Sequence, residues 1–117
     1  MTELIERFST ELAARTAALH GAVAAIRLPR GRHVSAIVWQ GGVVVASEQS
    51  LPEREEFDLV LPGGAEATAR VAGRDAGTNI AVLRVSQPVS PPVLMPGEAQ
   101  AGALALALGA DGTGGVS

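Results

Sequence analysis

The sequence predicts a mainly β domain, with an N-terminal amphipathic helix followed by a six- to seven-stranded antiparallel barrel. Near the N-terminus the apolar residues recur at helical spacing, whereas after Gly21 they fall into short β-branched runs separated by Gly and Pro turns. The chain has 117 residues and 47% of them are hydrophobic, which suits one globular domain. We therefore expect an N-terminal helix over residues 1–21 and a barrel over residues 22–117.

The helix is predicted from Thr2 to about Leu19. Its apolar residues are Leu4, Ile5, Phe8, Leu12 and Leu19, and its charged residues Glu3, Arg7, Glu11 and Arg15 face elsewhere. Gly21 ends the pattern, and His20 lies where a cationic side chain complements the helix dipole, so we interpret His20 as a helix-end residue. Capping of the barrel and contacts between copies are both open roles for this helix.

Seven short runs bounded by turn residues are candidate strands: 22–28, 34–39, 43–47, 57–61, 66–72, 80–85 and 103–108. The last run alternates Ala and Leu strictly, which is the period of a strand. Residues 85–97 contain four prolines and no charge until Glu98, and predict an extended crossing loop whose Val89, Val93, Leu94 and Met95 are apolar enough to pack.

Composition excludes several kinds of chemistry. The chain has no Cys, and all nine of its basic residues are Arg, so it has no disulfide, thiol nucleophile, Schiff-base lysine or phosphate-loop lysine. His20 and His33 are thirteen positions apart, which is not metal-ligand spacing, and we expect no metal and no cofactor. Residues 109–115 are glycine-rich, but no helical pattern follows them, so they predict a turn and not a nucleotide loop.

Charge and hydropathy also restrict the partners. A net charge of -3 with scattered basic residues argues against nucleic acid, and the one basic cluster, Arg27, Arg30, Arg32 and His33, is typical of a solvated hairpin loop. The acidic group Glu53, Glu55 and Glu56 likewise indicates a solvated loop. Trp39 is expected in the core or at the barrel edge. The apolar run 99–110 is too short to cross a membrane and no targeting segment is visible, so the chain as written is expected in the cytoplasm.

The order of these segments resembles the first β-barrel of a trypsin-like serine protease of the high-temperature-requirement (Deg) type. Residues 69–85, Ala-Arg-Val-Ala-Gly-Arg-Asp-Ala-Gly-Thr-Asn-Ile-Ala-Val-Leu-Arg-Val, are similar to the strand, turn and strand around the catalytic aspartate of that family. Residues 43–51 are similar to the strand and turn that carry its histidine, and residues 102–109 to the strand that leads to its second barrel. The resemblance covers roughly two thirds of the chain. By analogy with the family, the periplasm is the alternative to the cytoplasm as the expected compartment.

Carried over residue by residue, the resemblance implies a degenerate catalytic site. Gln49 stands where the family has its histidine, and Asn79 stands where it has its aspartate. A carboxamide cannot accept a proton near neutral pH, and Asn79 brings no negative charge to stabilise an imidazolium. No catalytic residue is therefore assigned, and Gln49 and Asn79 are the positions equivalent to two members of the triad.

The family carries its nucleophilic serine in the second barrel, and the sequence ends at Ser117 before such a barrel begins. Ser47 and Ser50 flank Gln49 without a base beside them, and Ser117 lies in a glycine-rich tail. We expect a non-catalytic module that acts in binding or assembly, or the first half of a longer degenerate protease. The alternative is a fragment of an active serine endopeptidase. The expected partner is a protein or peptide, through self-association or a second barrel, because in a half protease the face that contacts the second barrel would be exposed and apolar.

Overall fold

A computed structural model describes all 117 residues of the chain. One α-helix is followed by six strands: α1 (Thr2–Ala18), β1 (Val23–Arg27), β2 (His33–Trp39), β3 (Val43–Ser47), β4 (Glu56–Val60), β5 (Glu66–Asp75) and β6 (Ile80–Val85). Short 3₁₀ turns lie at His20–Ala22, Pro29–Gly31 and Glu48–Ser50. The predicted order of one helix and then a β domain is confirmed.

The six strands form a closed antiparallel barrel in the order β1-β2-β3-β6-β5-β4. Pairing of β1 with β4, through Ala25 opposite Val60 and Ile26 opposite Leu59, closes the sheet on itself. Closure leaves no free edge along the barrel wall, and it removes the unpaired backbone groups that an open sheet would expose.

Small and large apolar side chains share the barrel interior. The bulky, almost fully enclosed residues are Ile26, Val38, Val44, Phe57, Leu59 and Leu83, and the space between them is filled by Ala24, Ala36, Ala46, Ala69 and Ala81. Six strands enclose a narrow space, so a barrel of this size accommodates few large side chains, and alanine suits the remaining inward positions.

The β5–β6 pair contains a bulge. Val71 lies opposite Leu83 and Gly73 lies opposite Val82, so Ala72 is an extra residue on β5. Beyond the bulge β5 continues to Asp75, three residues past its predicted end. It also changes the face on which the following residues lie, because one inserted residue reverses the alternation of side chains along a strand.

The predicted seventh strand, residues 103–108, is wrong. Ala103 N donates to Gln100 O and Gly109 N donates to Ser117 O, and no backbone hydrogen bond involves residues 104–108. Leu104 and Leu106 remain 69% and 47% exposed. The alternation of Ala and Leu suits a strand, but a strand also needs a neighbour to pair with, and the barrel has closed without this segment.

The predicted crossing loop lies outside the helices and strands, and only part of it packs. Val89 contacts the core of the barrel, whereas Val93 and Met95 are 93% and 86% exposed. Helix α1 is similarly separate from the core, since none of its residues is buried. No helix in the structure combines the length and apolarity needed to cross a bilayer.

Candidate functional site

The two positions singled out by the sequence, Gln49 and Asn79, meet at one end of the barrel. Gln49 lies in the 3₁₀ turn that follows β3, and Asn79 immediately precedes β6. These two strands pair up to their ends, with Ser47 opposite Ile80. The register therefore places the turn after β3 against Asn79, the residue just before β6, although Gln49 and Asn79 are thirty positions apart in the sequence.

Three hydrogen bonds join the two segments. Asn79 Oδ1 accepts from the backbone N–H of Gln49 at 2.8 Å and from Ser47 Oγ at 3.0 Å. The backbone carbonyl of Asn79 accepts from Glu48 N at 3.2 Å. One asparagine thus satisfies both a backbone donor of the turn and a neighbouring hydroxyl.

The backbone conformation of Asn79 favours asparagine at this position. Its φ is 58°, in the left-handed region, which asparagine adopts more readily than most other residues. The turn before it is closed by Asp75, whose carboxylate accepts from Gly77 N at 3.0 Å and from Thr78 Oγ1 at 2.9 Å. This Asx turn fixes the direction in which the chain enters Asn79.

A second residue, Arg74, holds the same turn from the other side. Its guanidinium donates to the Glu48 carboxylate at 3.0 and 3.2 Å, and to the backbone carbonyls of Glu48, Leu51 and Pro52 at 3.0, 2.8 and 2.8 Å. The side chains of Arg74 and Glu48 are only 21% and 18% exposed. The planar fork of arginine matches several acceptors at once, and it ties the whole of residues 48–52 to β5.

The sequence pattern does not indicate a role for Arg74, because the direction of its side chain depends on the bulge in β5. Arg70 and Arg74 share the parity of one strand face, and Arg70 is exposed opposite the exposed Arg84. After the bulge, however, Arg74 lies opposite the buried Ala81 and therefore on the inward face. The one available signal was Gly73, since a glycine inside a strand pattern suggests a bulge.

The side chains of Gln49 and Asn79 are carboxamides, which form hydrogen bonds but do not accept a proton near neutral pH. Gln49 is exposed, and its carboxamide makes no hydrogen bond within the chain. The hydroxyl of Ser47 is occupied as a donor to Asn79, and Ser50 has no partner. No imidazole or carboxylate takes part in the contact between the two positions.

Both histidines instead hold the C-terminal residues. His20 Nε2 donates to the carbonyl of Gly114 at 2.9 Å, and His33 Nε2 donates to the carbonyl of Ala110 at 2.9 Å. His20 lies in the 3₁₀ turn just beyond α1, at the helix end as predicted, whereas His33 is the first residue of β2 and not part of the preceding loop. Each ring fastens the tail to the barrel, which is a structural role.

The glycine-rich tail forms the turn that its sequence predicts. Gly109 and Ser117 exchange two backbone hydrogen bonds, and Asp111 N donates to Gly115 O. The Asp111 carboxylate accepts from Thr113 N at 2.7 Å, from Thr113 Oγ1 at 2.8 Å and from Gly115 N at 3.1 Å. These donors, the Thr113 amide first, hold the pKa of Asp111 below its ordinary value.

Two further predicted features lie at the surface. Arg27 is paired with Glu66 at 2.7 Å, and both side chains are at least half exposed, in keeping with a solvated cluster. Trp39 ends β2 at 53% exposure, so it is a barrel-edge residue, and it lines an open groove of about 550 Å³ together with Pro91 and Pro92 of the crossing loop.

Comparisons with known proteins add no family to this description: no family model matches the chain, and no curated protein matches it.

Proposed function

We propose that the chain is a non-catalytic module of the trypsin-like serine protease type, and that it acts by binding a protein partner. The observation that carries the proposal is the hydrogen bond of 2.8 Å from Gln49 N to Asn79 Oδ1. The sequence resemblance assigns these positions to a general base and to the acid that orients it. They are adjacent in a closed six-stranded barrel, and both hold carboxamides.

Two carboxamides at these positions can keep the hydrogen bond between the two turns but cannot transfer a proton. Asn79 uses the same atom type as a carboxylate, an sp² oxygen, to accept from the turn. It carries no charge, and in a serine protease triad the change from Asp to Asn lowers turnover about 10⁴-fold. Gln49 cannot take the proton of an attacking hydroxyl. The chain therefore keeps a scaffold at this end of the barrel and lacks the proton transfer that the scaffold would serve.

Residues 103–108 supply the binding part of the proposal. This segment lies outside the barrel strands, is apolar and is exposed up to Ala107, and no backbone hydrogen bond involves residues 104–108. An extended segment with free N–H and C=O groups can pair with a strand of another protein, and alternating side chains then give specificity. The resemblance places a second barrel next to this segment, so we propose a β-rich partner that adds a strand here.

Backbone amide exchange tests the binding proposal. Extended synthetic peptides that alternate Val and Thr are titrated into the full chain, and exchange at residues 104–108 is followed. We expect these amides to become protected. The variant Ala105→Pro, which removes one backbone donor within the segment, is expected to lose the effect, whereas Ala99→Pro, in exposed chain outside it, keeps the effect. Unchanged exchange, or equal protection in both variants, would contradict the proposal.

Catalysis is tested separately on the same chain. Casein hydrolysis and labelling by a fluorophosphonate are expected to stay at the level of a heat-denatured control. Labelling that disappears on Ser47→Ala, Ser50→Ala or Ser117→Ala would overturn the non-catalytic assignment and favour the active endopeptidase.

A further inference from the structure

The first half of helix α1 carries apolar side chains that the rest of the chain leaves exposed. Met1, Leu4, Ile5 and Phe8 are 89%, 64%, 60% and 52% exposed, and no residue of the helix is buried. A single helix of seventeen residues is marginally stable in water, because most helical stability in proteins comes from packing of an amphipathic face. The helix therefore lacks the contact that would stabilise it.

A stripe of alternating charge runs directly beside these apolar residues. Glu3, Arg7, Glu11 and Arg15 follow one another at intervals of four, so they lie along one flank of the helix. The ion pairs of the structure are Arg27 with Glu66 and Arg74 with Glu48, so none of these four charges has an oppositely charged partner within 4.0 Å. The opposite flank of the apolar stripe carries the uncharged Thr2, Ser9 and Thr16.

We propose that α1 pairs with α1 of a second copy of this chain in an antiparallel arrangement. Two helices that cross antiparallel about a two-fold axis bring like flanks together, so the charged flank of one copy meets the charged flank of the other. Glu3 then faces Arg15 and Arg7 faces Glu11, and the symmetry repeats each pair. All four contacts are between opposite charges.

The charge order selects this arrangement over the parallel one. In a parallel pair the charged flank of one helix faces the uncharged flank of the other, and no ion pair forms. The ion pairs place the two-fold axis level with Ser9, so the Phe8 side chains of the two copies lie about 3 Å apart along the helix axes. Leu4 of each copy then lies within about 3 Å of the level of Leu12 of the other. The apolar stripe and the charge stripe are thus both self-complementary in a single antiparallel geometry.

This inference goes beyond the proposed function, because no hydrogen bond joins α1 to the Gln49 turn or to residues 103–108. It assigns self-association to the helix and leaves the strand segment for a different partner. Loss of dimer formation would leave peptide protection of residues 104–108 unchanged, so the two proposals fail independently.

Sedimentation of charge variants tests the pairing. The variant Arg7→Glu/Arg15→Glu makes the stripe wholly acidic, and Glu3→Arg/Glu11→Arg makes it wholly basic. We expect each alone to self-associate at least about tenfold more weakly than the wild type, since every ion pair becomes a repulsion, and an equimolar mixture to recover a dimer. Glu6→Arg, on the face opposite the apolar stripe, is the control and is expected to dimerise like the wild type.

A monomeric wild type would overturn the proposal, as would dimers insensitive to both double variants or a mixture that stays monomeric. Circular dichroism of each variant checks that the helix content is retained, and the mixture keeps the test decisive where one variant alone loses helix. Recovery of the dimer on mixing cannot arise from unfolding.

Spin labels test the direction of the helices. The chain has no cysteine, so Thr2→Cys and Ser9→Cys each give one site per copy. At a rise of about 1.5 Å per residue, the antiparallel pair separates the Thr2 positions by about 20 Å along the axis and brings the Ser9 positions to nearly the same level. Similar short distances at both sites would indicate a parallel pair and contradict the proposal.

Discussion

Asn79 Oδ1 accepts a hydrogen bond of 2.8 Å from the backbone N–H of Gln49. This hydrogen bond joins the turn after β3 to the residue just before β6. Ser47 Oγ donates to the same oxygen at 3.0 Å. The side chain at position 79 therefore organises the turn that presents position 49. Its importance to the barrel end can be measured without any reference to catalysis.

Replacement of Asn79 tests the acceptor role. Asn79→Ala removes the oxygen that serves two donors and places alanine at a left-handed φ, so we expect a loss of about 1–3 kcal/mol in the free energy of unfolding. Asn79→Asp retains a carboxyl oxygen and is expected to stay within about 0.5 kcal/mol of the wild type near neutral pH. Urea denaturation measures both. Equal losses in the two variants would show that the acceptor is not what matters.

Arg74 provides a second prediction at the same turn. Arg74→Lys keeps the charge but loses the planar fork that reaches the Glu48 carboxylate and three carbonyls, and we expect a loss of about 1–2 kcal/mol. Amide exchange should also rise at Leu51, whose N–H donates to Glu48 O inside the turn. Arg84→Lys, an exposed residue of β6 without a side-chain hydrogen bond, is the matched control and should change little. Faster exchange at Leu51 in both variants would contradict a specific clamp.

The Asp111 carboxylate predicts a pH dependence of the C-terminal turn. Its pKa in the folded chain lies below the ordinary value of 3.8, because the charged form accepts from Thr113 and Gly115. A group whose pKa is lowered on folding stabilises the fold at pH values above its unfolded pKa, and this stabilisation is lost as the pH falls through the folded pKa. We therefore expect amide protection at Asp111 and Ser117 to fall as the pH is lowered from about 4 towards 2.

Asp111→Asn is the control for that titration. The carboxamide keeps an oxygen that can accept from Thr113 and Gly115 but has no proton to gain in this range. Protection of the turn in this variant is expected to be independent of pH between 5 and 2, by amide exchange corrected for intrinsic rates. The same pH dependence in the variant and the wild type would place its origin elsewhere.

The sequence predicts the barrel well where turn residues bound a strand on both sides. β3 and β6 have the bounds predicted, because Gly41-Gly42 precedes one and Asn79 precedes the other. Residues 103–108 show the limit of such reasoning. A period of two shows that alternate side chains of the segment differ in character. A strand also requires a neighbouring strand to pair with, and the sequence does not show that the barrel closes between β1 and β4.

The sequence predicts two of the three residues that organise the candidate site, Gln49 and Asn79, but not Arg74. The resemblance of residues 43–51 and 69–85 singles out Gln49 and Asn79. The antiparallel pairing of β3 with β6 brings the two residues together. Arg74 was not identified, because one extra residue at the bulge turns it from the outer face to the inner one. The orientation of a side chain beyond a bulge depends on the register of two strands and is not a local property of either.

The most direct test of the degenerate-site account is the pKa of an imidazole introduced at position 49. It is measured by NMR in Gln49→His alone and in Gln49→His/Asn79→Asp, with Ser50→His/Asn79→Asp as the control for a charge acting from a neighbouring position. If the two positions retain the arrangement of a base and its orienting acid, the carboxylate should raise the pKa of the imidazole at position 49 by about one pH unit, and raise that at position 50 much less. Equal pKa values with and without the carboxylate, or equal rises at both positions, would contradict the account.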